Sequence, residues 1–231
     1  MMANLQIEID GITIEILRKP IKNMNLRIYP PDGLVRVSAP LKLSLQQIRH
    51  QLEAKREWLH TQRARLQAQP VISAPLMQNG ESHYFLGKAY TLNVVESSKP
   101  AQLKLKDNIL LLSAKRHTTE VTKLACLKRW YQVQMQALIP HLIDKWEPVI
   151  GVTVKTWGIK TMKTRWGSCN TRAHRIWLNL SLIQKPIVCL EYVLVHEMVH
   201  LLEASHNARF YQLMDQFMPQ WRTHQQLLTA K

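Results

Sequence analysis

Between residues 5 and 40 the chain alternates apolar and polar positions with a period of two, the pattern of strands buried on one face. Ile7, Ile9, Ile12 and Ile14 flank Asp10-Gly11, a dipeptide suited to the positive backbone angles of a two-residue hairpin turn. LRIYPPDGLVRVSAP (26–40) predicts a second hairpin, turning at Pro31-Asp32-Gly33. The period then lengthens. Ser44 and Gln47 form a capping-box pair, and Ile48, Leu52, Trp58, Leu59 and Leu66 continue one helical stripe until QPVISAP (69–75) breaks it. YFLGKAYTLNVV and the stretch from Leu103 to Leu112 return to strand, separated by a loop at Ser97–Pro100.

From Thr119, a good N-cap, a long amphipathic helix is expected through Leu124, Leu127, Tyr131 and Met135, bent or interrupted at Pro140 and ended by Pro148. VTVKTWGIK, TRWGSC and RIWLNLSL read as three further strands, with NTRAH turning between the last two. A helix apolar nearly all round opens near Pro186, and an amphipathic one runs from about Asn207 to Phe217. The expected fold class is α+β. A β-rich region with one long helix (1–115) precedes a domain (116–231) in which the apolar helix packs on a small sheet.

Composition narrows the class. No apolar run approaches the length needed to cross a bilayer. The first residues lack the basic and apolar blocks of a secretory signal. Cys126, Cys169 and Cys189 are odd in number and without a CxxC pair, which suits reduced thiols. A cytoplasmic protein is therefore expected, with no membrane partner. Lys and Arg number 31 against 16 acids, a net charge of +15 spread along the chain. Such a surface suits polyanions. A second function class follows: a basic nucleic-acid- or ribosome-associated protein whose metal site is structural or vestigial.

The sharpest chemistry lies in HEMVHLLEASHNARF (196–210). On a helix, His196 and His200 sit about 40° apart on one face, so both imidazoles can reach one tetrahedral zinc. Glu197 is placed to act as general base on a zinc-bound water and then to protonate the leaving amine. Two imidazoles and a carboxylate on an otherwise apolar helix are costly unless they have partners. For a third ligand the chain offers Glu203, His206, Asp215 and His224. If the helix continued, His206 would swing roughly 240° from His200, away from the metal. It becomes a ligand only if the helix ends near Leu202 to Ala204 and the chain folds back. Ser205 and Asn207 are good N-caps, and Phe210, Leu213, Met214 and Phe217 form the stripe of a new helix, which supports that break. The alternative is a surface loop histidine. Three protein nitrogens would leave a fourth position open, as catalytic zinc sites do.

These residues carry a resemblance. Trp166-Gly167-Ser168-Cys169, Asn179-Leu180, Pro186, the HExxH and His206-Asn207 with Phe210, together with the N-terminal RIYPPDGLVRVSAP, resemble the YgjP-like metallopeptidases, relatives of the SprT-like and WLM proteases among the zincins. The resemblance implies a zincin-like domain hydrolysing peptide bonds of a peptide or protein substrate. It makes His196, His200 and His206 the ligands of one zinc per chain and Glu197 the base. The glycine that metzincins place at the position of Glu203 is absent, and Met218 reads as core. WGSC is open to two readings, a substrate-binding edge strand or a tight hairpin with a buried Trp166. Arg165, Arg209 and Tyr211 are candidates, by sequence proximity alone, for polarising the scissile carbonyl.

Overall fold

A computed structural model describes residues 5–29, 33–67 and 76–229. The turn residues Pro31-Asp32 and the QPVISAP segment lie outside the described residues. The chain is α+β and divides into two compact units, residues 1–74 and 75–231.

The first unit holds β1 (Leu5–Ile9), β2 (Ile12–Lys19), β3 (Asn25–Tyr29) and β4 (Leu34–Pro40) in one sheet of order β1-β2-β4-β3. β1–β2 and β3–β4 are antiparallel and β2 runs parallel to β4. The Asp10-Gly11 turn forms with both residues at positive φ, as that dipeptide predicts. Ile12, Ile14, Ile16, Val35 and Val37 point inward against Ile48, Leu52 and Leu59. The expected single helix is two, α1 (Leu45–Glu53) and α2 (Arg56–Gln67). The Ser44 capping box is present. The chain tightens at Ala54-Lys55, where the Lys55 N–H donates to the Leu52 carbonyl, and Trp58 consequently faces solvent.

In the second unit β5 (Ser82–Phe85), β6 (Lys88–Glu96), β7 (Gln102–Lys106) and β8 (Ile109–Ala114) form a sheet of order β5-β6-β8-β7. This repeats β1–β4 strand for strand: two antiparallel hairpins joined through a parallel central pair. Both copies open with a two-residue positive-φ turn, Asp10-Gly11 and Leu86-Gly87, and both lead into a helix capped by a hydroxyl, Ser44 and Thr119. The boundary expected at 115/116 falls inside this unit. Leu92, Leu103, Leu110 and Leu112 share one core with the helices that follow, so the change from strand to helix marks layers of one body.

α3 (Glu120–Ile150) runs unbroken through Pro140 and Pro148 to a left-handed cap at Gly151, correcting the expected interruption. Each proline removes one helical hydrogen bond, at a cost of about 3 kcal/mol. The stripe Leu127, Tyr131, Met135, Ile139, Ile143 and Trp146 is buried on one face and outweighs that cost. β9 (Thr156–Lys160), β10 (Gly167–Asn170) and β11 (Arg175–Asn179) form a third sheet of order β10-β11-β9, leaving β10 at its edge. A 3-10 turn (Leu180–Gln184) leads to α4 (Ile187–Val199), which packs on β10 and β11. α5 (Ala208–Phe217) and α6 (Trp221–Thr229) complete the unit. The sequence reading did not anticipate α6. Among the described residues no helix is long and apolar enough to cross a membrane.

Candidate metal centre

α4 is buried almost all round, as its composition requires; its polar exceptions are Glu191, which pairs with Lys145 and Trp146, and His196 and Glu197, with His200 at the C-cap. The helix stops at Val199 with His200 as its C-cap, slightly before the Leu202–Ala204 region expected. The N–H groups of Leu201 and Leu202 turn to the Met198 and Val199 carbonyls at 3.0 and 2.9 Å, which tightens the last turn. The chain then reverses, and the Asn207 side chain accepts the Phe210 N–H at 3.0 Å to start α5. His206 stands just before that cap.

The reversal brings His206 back to the helix it left. His196, His200 and His206 each offer one ring nitrogen, and these atoms lie within 4.8 Å of one another. His206 Nε2 is 2.9 Å from His196 Nε2. In a tetrahedral zinc site with Zn–N near 2.05 Å, ligand nitrogens stand about 3.3 Å apart, so this trio fits with small adjustments. His200 Nδ1 donates to the Glu203 carbonyl at 3.1 Å. A carbonyl only accepts, so Nδ1 carries the proton and Nε2 keeps the ligating lone pair. Burial, aided by His200 and His206, holds His196 down to about 4, and burial lowers His200 as well. Neutral imidazoles are the form a metal needs.

The other third-ligand candidates have different work. Glu203 turns its carboxylate to the Ser205 N–H at 3.3 Å. Asp215 accepts the Trp221 indole N–H at 2.8 Å and pairs with Arg222. His224 lies outside the trio.

A cluster of rings supports the site: Phe210 and Tyr211, which the sequence pointed to, and Tyr192 and Trp221, which it did not. Phe210, fully buried, touches all three imidazoles, with ring centroids 4.9, 4.7 and 4.7 Å away. Behind His206 runs a stack of rings: Tyr211 at 6.4 Å, Trp221 at 5.7 Å from Tyr211, and Tyr192 at 6.4 Å from Trp221. Tyr192 sits one turn before His196, a spacing readable in the sequence. Arg209 does not line the cleft, whereas Arg165 does.

Glu197 is buried, and burial pushes its carboxyl up to about 8 against the opposing charge of Arg165. Across from it stands β10. Gly167 and Cys169 pair with the inward-facing Leu178 and Ile176, so both face α4. The approach to β10 is fixed by the buried Asn179. Its Nδ2 donates to the carbonyls of Met162 and Arg165, each at 2.8 Å, and its own N–H donates to the Trp166 carbonyl at 2.8 Å. Trp166 is only half-buried and lines the cleft, so the hairpin reading of WGSC holds without a buried indole. The cleft between β10, α4 and α6 has a volume of about 580 Å³.

A family model, that of the YgjP-like metallopeptidase domain, matches residues 22–231. The chain belongs to the YgjP-like metallopeptidase family. No curated protein matches the sequence. Among solved structures, the crystal structure of the metallopeptidase zymogen of Pyrococcus abyssi abylysin is similar at 17% identity and a TM-score of 0.35, over 39% of this chain and 88% of that one. As a YgjP-like metallopeptidase, the protein is a metal-dependent protease, and three convergent histidines are in place to hold a metal ion.

Proposed function

We propose that the protein is a zinc metallopeptidase of the HExxH type, with His196, His200 and His206 as ligands and Glu197 as general base. The observation that carries this reading is the convergence of three imidazole nitrogens within 4.8 Å, beside a buried carboxylate in an open cleft. An all-imidazole donor set suits zinc, and three protein ligands leave room for water and substrate.

When bound, zinc acidifies the attacking water and polarises the scissile carbonyl. Glu197 accepts the water proton on a carboxylate oxygen as the C–O bond forms, and then passes it to the amine nitrogen, which departs as the C–N bond breaks. The His200–Glu203 hydrogen bond holds one ring in its ligating tautomer. Phe210 backs all three rings and keeps bulk water from that side of the site. The half-buried strand segment 166–169 lines the cleft along which an extended peptide would lie.

Metal analysis and hydrolysis of fluorogenic casein test the reading together. About one zinc per chain is expected, lost on His206→Ala. Glu197→Gln should keep the zinc and abolish hydrolysis. Full activity in Glu197→Gln would refute the role given to Glu197, and full zinc occupancy in His206→Ala would refute the third ligand.

A further inference from the structure

A glycine in a short edge strand weakens it, because it orders poorly and offers no side chain to pack. Gly167 opens β10, the edge strand beside α4. Its φ is not in the left-handed region, so the backbone does not require glycine there. Space does. A methyl group built on Gly167 would lie 2.5 Å from Glu197 Oε1, 2.8 Å from Cγ and 2.9 Å from Cδ, and all three of its nearest neighbours belong to that one side chain. The carboxylate of Glu197 therefore rests directly against the bare Cα of Gly167.

The strand can serve as a fixed surface because it is tied on both sides. Gly167 to Asn170 pair with β11, and Asn179 holds the residues just before Gly167 through the Met162, Arg165 and Trp166 carbonyls. What bounds the Glu197 side chain on this flank is the strand. We infer that Gly167 is the positioning residue for Glu197: the missing side chain is the seat in which the carboxylate is held facing the cleft. WGSC then has a role beyond turning a hairpin, since its glycine sets where the proton acceptor stands. A nucleophilic water is activated only by a base within hydrogen-bond reach, so a displacement of about 1 Å is enough to cost rate.

This inference rests on Glu197 being the general base, and a double-mutant cycle separates the two claims. Gly167→Ala, Glu197→Asp and the double variant are compared with the wild type as zinc-loaded full-length protein on fluorogenic casein, with Glu197→Gln alongside. Gly167→Ala should lower kcat at least tenfold while KM and zinc content stay near wild type. In the Glu197→Asp background, where the shorter side chain no longer fills the seat, the same substitution should change kcat less than twofold. A merely structural glycine would lower kcat by the same factor in both backgrounds, and that result, or an unchanged kcat in Gly167→Ala, overturns the inference. Full activity in Glu197→Gln would instead overturn the base assignment beneath it. A crystal structure of Gly167→Ala gives a reading independent of turnover: the Glu197 carboxylate should be displaced by more than 1 Å, and a carboxylate left in place refutes the seat.

Discussion

Phe210 offers the most direct test of how the metal site is supported, because it touches every proposed ligand and is none of them. Its ring is fully buried, with centroids 4.7 to 4.9 Å from the three imidazoles. Phe210→Leu keeps the site apolar but removes the flat surface on which the rings rest. Trimming a buried side chain by this amount is expected to cost about 1–2 kcal/mol of stability, against about 3–5 kcal/mol for Phe210→Ala. The larger effect should fall on the metal: loss of a group that orients ligands weakens binding by about 10–100-fold. Competition against a chromogenic chelator measures that affinity, and urea denaturation of the metal-free protein measures the stability change separately. A Phe210→Leu protein that loses stability as expected but binds zinc with wild-type affinity would refute the view that this ring pre-organises the trio.

Two further outcomes follow from the same geometry. Saturating zinc at about 1,000 times its dissociation constant adds about 4 kcal/mol to the folded state. For a unit of this size that corresponds to a rise in Tm of roughly 8–16 °C, reversed by EDTA and absent in His206→Ala. At the two matched hairpin turns, alanine should have unequal effects. Gly11 has φ +72° with nothing within 4 Å of a new methyl, whereas Gly87 has φ +82° and a methyl there would sit 2.8 Å from Pro186 Cγ. Gly11→Ala should cost about 1 kcal/mol and Gly87→Ala at least about 2 kcal/mol more by urea denaturation, with equal costs contradicting the buttress at Pro186.

The parts of this protein that were legible in its sequence are those set by local chemistry. Asp10-Gly11 makes its turn, Ser44, Thr119 and Asn207 cap their helices, and the chain reverses between the end of α4 and the Asn207 cap. Tertiary packing decided the rest. Pro140 and Pro148 signal a break in any local reading, yet the buried stripe of α3 holds the helix through both. The unit boundary was misplaced because strand texture says nothing about which core a sheet joins. The repeat of strand order was invisible because the inward positions differ in kind, Ile14 and Val35 in one central pair and Leu92 and Leu110 in the other. Gly167 read as a turn residue, since the neighbour that requires it lies thirty positions away on α4.

That repeat has a kinetic side. Two β-modules of the same order and direction in one chain offer each central strand a second acceptable partner before either is complete. Exchange of the hairpins β1–β2 and β5–β6 is then the error such a duplication makes available, and between two chains the same exchange would give a swapped dimer. The Leu86 and Gly87 N–H groups donate to the carbonyls of Ile183 and Gln184 at 2.8 and 3.3 Å, so the second hairpin is tied to the 3-10 turn that leads into α4. The turn that leads into the ligand-bearing helix thus distinguishes the hairpin that belongs beside it from its look-alike.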